Sequence, residues 1–173
     1  GAIHGADSVF WLHHVTILGT IALILYLSLY WGVFVLAGRR FLRTGFAVPV
    51  LACLWVALEL VKVRWGYFGW NLFGYSQAAW PLLIRPASVA GAWFLSFAIV
   101  AVNVLVYEAL TPRRSRRTAV QAIVLAAAFV LFWLIGSRSI DRAAGSGETI
   151  SVALIQPSVT REEKEAFGAR LLV

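Results

Sequence analysis

The sequence predicts an α-helical, polytopic membrane protein of about four transmembrane helices that passes into the start of an α/β domain. Three observations carry this expectation. Hydrophobic residues make up 61% of the chain and charged residues 13%, with a mean hydropathy of +0.81, outside the usual range of soluble domains. The apolar residues are gathered into uncharged runs at 15–38, 44–58, 86–107 and 118–136, and a hydrocarbon core about 30 Å thick takes roughly 20 helical residues to cross. Arginines crowd the two short connectors between those runs, RRFLR at 39–43 and RRSRR at 113–117.

Residues 1–14 read as the tail of a preceding membrane element and a turn. His4, His13 and His14 lie there, but adjacent histidines diverge and no carboxylate stands at ligand spacing, so no metal site is expected. The first span is placed at 15–37, where Tyr26, Tyr30 and Trp31 recur at helical spacing, as aromatic packing or an interfacial girdle requires. Arg39, Arg40 and Arg43 stop it. The second span is placed at 46–63. Its Pro49 is tolerable in a first turn, and Glu59, Lys62 and Arg64 are expected at its end with basic heads reaching toward the headgroups. Cys53, the single cysteine, excludes an intramolecular disulfide and a multi-cysteine metal site, and reads as a small buried hydrophobe.

WGYFGWNLFGYSQ, residues 65–77, follows with six aromatic rings and no charge. Amphipathic rings favour the membrane–water boundary, and Gly66, Gly69 and Gly74 interrupt the helix and permit close backbone approach. Trp70 and Tyr75 offer large rigid surfaces with one polar handle each, and Gln77 both donates and accepts. These three are the candidate substrate- or lipid-facing residues. The third span is placed at 87–107, after Pro86, and the fourth at 118–137.

The net charge of +7 comes from the two arginine connectors, since the other eight basic residues equal the eight acidic ones. Clusters in loops between apolar spans point to anionic lipid headgroups and the cytoplasmic side, and away from nucleic acid. The connectors 39–43 and 113–117 are therefore expected in the cytoplasm, with the 64–86 loop and everything beyond 136 outside.

Residues 138–149 have the Gly/Ser-containing polar composition of a linker. ISVALIQ at 150–156 then reads as a buried strand ended by Pro157 and Ser158, and Thr160 with Glu163 has the spacing of a capping box. Strand, turn and helix open an α/β domain over 150–173 that one strand and one helix cannot complete, so the domain is expected to continue beyond Val173. With no methionine in the chain, the expectation is an internal segment of a longer protein, cut at both ends.

The order of residues resembles the bacterial apolipoprotein N-acyltransferases over roughly residues 10–165. Glu59 and Lys62 match a Glu followed three residues later by a basic residue. Tyr67-Phe68-Gly69-Trp70 matches a Gly-Phe-Pro-Trp-like turn that leads into Gly74-Tyr75-Ser76-Gln77. Gly91, Ser96, Phe97 and Asn103 match the next helix, and Gln156 ends the first strand of an outer nitrilase-like domain. Gly69 stands where the family usually has Pro, and Arg85 where Gln is common.

The resemblance implies a multi-pass protein of the bacterial cytoplasmic membrane whose C-terminal part is extracytoplasmic. It implies an enzyme that moves an acyl chain from a phospholipid donor to the α-amino group of a lipoprotein's lipid-modified N-terminal cysteine, without a cofactor. The family's Glu-Lys-Cys triad belongs to the nitrilase-like domain and is expected beyond Val173. Cys53 falls in the wrong domain and Glu162, Glu163 and Glu165 come too early, so no catalytic residue is transferred. Glu59 with Lys62 at i, i+3 also suits an ion path. A transporter or channel subunit and a non-catalytic membrane scaffold therefore stand as the competing classes.

Overall fold

The computed structural model describes residues 9–14, 16–42, 44–111, 116–146 and 151–154. Four long helices follow one another: α1 at Ile17–Phe41, α2 at Ala47–Arg64, α3 at Ala87–Leu110 and α4 at Arg116–Ser146. A 3-10 turn at Phe10–His14 precedes them. A second at Phe73–Gln77 and a single helical turn at Pro81–Ile84 lie between α2 and α3. Each long helix packs on the next in chain order, most extensively α2 on α3.

Local chemistry accounts for the helix ends. Thr16 caps α1 by accepting the Gly19 N–H at 3.4 Å, which satisfies one of the orphan amides of a first turn. Within α1 the Thr20 and Ser28 hydroxyls donate at 2.7 Å to the carbonyls of Thr16 and Ile24, so neither polar group needs water. Arg39 and Arg40 occupy the last turn, where positive charge complements the helix dipole.

α1, α3 and α4 (the last over Arg116–Asp141) are long and apolar enough to cross a membrane. Large apolar side chains such as Leu18 and Leu110 face outward, 78% and 82% exposed, a surface that lipid covers and water would not. The expected count of four spans becomes three. α2 is a helix close to the predicted 46–63, but its 18 residues rise only about 27 Å and include Glu59, Lys62 and Arg64. Two of those charges, Glu59 and Lys62, are buried and do not extend toward headgroups. α2 packs between α1 and α3 and supplies the centre of the core. Ala47, Val48, Leu51, Ala52 and Trp55 meet Val100, Ala101 and Val104 of α3, flanked by Trp31 and Phe34 of α1. Cys53 departs from its expected burial and is exposed, because it sits on the face of α2 opposite this cluster.

The starts of α2 and α4, which follow the two arginine-bearing connections, share one end of the bundle. Gln121 Nε2 donates to the Gly45 carbonyl at 2.8 Å, and Gly45 lies against the Arg117 side chain. The loop before α3 sits at the other end, on the C-terminal half of α4. There Trp133 Nε1 donates to the Leu82 carbonyl at 2.8 Å, the Arg85 guanidinium lies 5.6 Å from the Trp133 ring centre, and Gly136 abuts the Arg85 carbonyl.

α4 continues to Ser146, through most of the residues read as a linker. Residues 151–154 of the expected strand are exposed and in no regular element, with no partner strand among the described residues. Gln156, the capping box at Thr160 and Glu163, and the helix expected to run on to Val173 lie outside the described residues. The placement of the catalytic triad beyond Val173 therefore rests on the resemblance alone.

Candidate functional site

The aromatic segment is built from its backbone outward. α2 ends at Trp65, whose N–H donates to the Val61 carbonyl at 3.0 Å. The chain then turns at Tyr67 (φ 50°) and Asn71 (φ 61°), both in the left-handed region that Asn tolerates and Tyr does not favour. Gly66 lies so close to the Tyr26 hydroxyl that no side chain fits there.

Lys62 and Glu59 hold this turn. The Lys62 Nζ donates to the carbonyls of Trp70 and Asn71, each at 3.2 Å, and lies 6.0 Å from the centre of the Phe68 ring. Glu59 Oε1 accepts the Phe73 N–H at 2.8 Å and the Trp55 indole N–H at 3.0 Å. On the far side the Gly74 N–H donates at 2.9 Å to the hydroxyl of Ser96, which is fully buried. The pair expected as snorkelled or ion-conducting residues thus satisfies loop backbone groups.

Beneath the turn lies an aromatic box. Trp55 stacks on Phe73 with centroids 4.5 Å apart, and Trp31 and Phe34 meet Trp55 at 4.7 and 5.0 Å. Phe73, one of the six rings of the segment, is therefore a packing residue. Trp55 was not singled out, although its i, i+4 relation to Glu59 was a readable signal.

Trp70 and Tyr75 remain outward, 63% and 52% exposed. Together with Ser76 they form the mouth of a groove of about 970 Å³ between α1 and α3. Its walls include Phe34, Ile99 and Val104, and Arg39 and Tyr107 stand at its far end. Gln77 is not part of it. Gln77 donates to the Ser76 hydroxyl at 3.0 Å and lines a second, apolar cavity of about 590 Å³ between α3 and α4. Ile99 and Asn103 border both spaces, so the three candidates are divided two and one across α3. Among the described residues no cluster of side chains suits a metal ion.

Residues 1–105 match the family model of the apolipoprotein N-acyltransferase N-terminal domain. The chain belongs to the apolipoprotein N-acyltransferases. An apolipoprotein N-acyltransferase of Chlorobaculum tepidum is 29% identical over 128 residues, 70% of this chain and 24% of that protein. One from Rickettsia prowazekii is 26% identical over 132 residues, 72% of this chain and 26% of its own length. One from Allorhizobium ampelinum is 27% identical over 163 residues, 92% of this chain and 29% of its own. The chain thus spans about a quarter of the length of the curated relatives it matches. No solved structure matches it. Within the apolipoprotein N-acyltransferase frame, the matched residues include the whole Glu59–Gln77 segment and the Ser96 that receives it.

Proposed function

We propose that this chain is the membrane-embedded part of an enzyme of the bacterial cytoplasmic membrane that N-acylates lipoproteins. Its groove receives an acyl chain at the Trp70–Tyr75 mouth. The carrying observation is that mouth: two exposed amphipathic rings at the head of an apolar groove about 970 Å³ in volume, in a chain of this family. A groove that size accommodates lipid-sized ligands, and Trp and Tyr suit a boundary between chain and headgroup.

The reaction needs two acyl transfers. A thiolate attacks the ester carbonyl of the phospholipid, the C–O bond breaks, and the lysophospholipid leaves with a proton while a thioester forms. The α-amino group of the lipoprotein then attacks the thioester, the C–S bond breaks, and an amide forms as the thiolate is released. A carboxylate base and an oxyanion-stabilising cation serve both steps. The resemblance assigns these groups to the family's nitrilase-like domain, and none is assigned to a residue of this chain. The part played here is to hold the acyl chain with its ester at the outer boundary. Glu59 and Lys62 are accounted for by the turn they hold, which leaves an ion path without an observation in its favour.

The test uses the full-length enzyme with Trp70→Ala, Tyr75→Ala and Gln77→Ala, each assayed for membrane yield and for acylation of a diacylated lipopeptide. Loss of transfer at normal yield in the first two supports the mouth. Full activity in all three would reduce the segment to an aromatic anchor.

A further inference from the structure

Glu59 presents two carboxylate oxygens to different neighbours. Oε1 is taken by Phe73 and Trp55. Oε2 is buried and receives no hydrogen bond from the protein, in a side chain only 2% exposed. A buried acceptor left this way is costly, so its surroundings decide what satisfies it. Glu59 borders a small cavity of about 30 Å³ whose polar lining also includes Tyr30 of α1, Lys62 and Asn71. That volume suits one water molecule; the remaining walls are apolar, Leu27, Leu58 and the rings of Trp31, Trp55 and Phe73, so the water's hydrogen bonds fall to Oε2 and those few polar residues.

We infer that Glu59 is a positioning residue that fixes the Trp70–Tyr75 mouth twice, directly through the Phe73 amide and again through one ordered water on Oε2. Lys62 completes the clasp from the carbonyl side at Trp70 and Asn71. The arrangement explains why a carboxylate and an ammonium are placed inside the bundle. The turn presents an N–H at Phe73 and carbonyls at Trp70 and Asn71, and a carboxylate only accepts while an ammonium only donates, so each side of the turn meets a side chain of the complementary kind. The carboxylate also links three elements, α2 directly, the turn through Phe73, and α1 through the water at Tyr30.

The experiment is hydrogen exchange on the full-length protein, with Glu59→Ala, Glu59→Gln and Lys62→Met compared with wild type. Glutamine keeps an acceptor for the Phe73 N–H and gives the water a donor. Glu59→Gln is therefore expected to exchange like wild type across 65–77. Glu59→Ala and Lys62→Met are expected to exchange there about tenfold faster, while peptides from α1 and α3 keep wild-type protection. Unchanged exchange in Glu59→Ala overturns the inference. So does loosening spread equally over the helices, or a glutamine variant as fast as the alanine one. A solved structure of the full-length protein with this cavity dry would overturn the water. The consequence for turnover rests on the acyl-transfer reading: Glu59→Ala should raise the KM for phospholipid more than it lowers kcat, and Glu59→Gln should leave both near wild type. If the exchange pattern holds while the wild-type enzyme transfers no acyl group, the clasp stands and the reaction assignment fails.

Discussion

Gly74 donates its N–H to Ser96 across 2.9 Å, and a Cβ at position 74 would run into the Ala92 carbonyl. The absence of a side chain is what lets the turn lie on α3. Gly74→Ala is expected to lower stability by about 1–3 kcal/mol, read as thermal unfolding of the detergent-purified full-length protein. Gly32→Ala, where the added methyl meets open space, should match or slightly exceed wild type. Ser96→Ala leaves a buried amide without its acceptor and should cost about 1–3 kcal/mol. The resemblance names Glu59, Lys62, Gly74 and Ser96, but not which group each one bonds. Phe73 is 14 residues from Glu59 and Ser96 is 22 from Gly74, and a pattern of residue types carries no pairing at that range.

At the scale of elements, α3 and α4 each depart from the regular helix expected of a span. α3 is broken at Gly91, with φ 70° and ψ −179°, a conformation that is nearly glycine's alone. Gly91→Ala should therefore destabilise by about 1–3 kcal/mol and shift the loop that leads into α3. A fall in melting temperature together with faster exchange at 78–90 would show it. α4 holds 31 residues, roughly 46 Å at the helical rise, against a hydrocarbon core about 30 Å thick. Composition marked its end near 137 because apolar length follows the membrane, whereas a helix continues as long as its backbone bonds do. The polar residues after 137 were legible as leaving the bilayer and not as remaining helical.

For the whole molecule, Gly45 and Gln121 meet at one end of the bundle, and we propose that this end, flanked by the arginine connections, is the cytoplasmic one. Cysteine labelling from the outer face, in a Cys53→Ala background, should modify a probe at position 145 and spare one at position 115. The opposite pattern would invert the assignment of sides. This chain by itself is expected to give no acyl transfer to a diacylated lipopeptide, because the resemblance carries none of the family's catalytic triad onto its residues. Phospholipid-dependent acylation by the purified chain would place a nucleophile within it.

What the sequence by itself determined is the membrane class, the existence of four long apolar helices and the family. All three depend on local quantities: run length against bilayer thickness, charge in short connectors, and the order of motif residues. Tertiary structure decided that α2 is a charged central helix, that Phe73 packs inward while Trp70 and Tyr75 stay outward, and that Gln77 faces a different cavity. Those outcomes depend on which backbone groups of one segment must be satisfied by side chains of another. That is a pairing problem, and composition and periodicity are blind to it until the helices are set side by side.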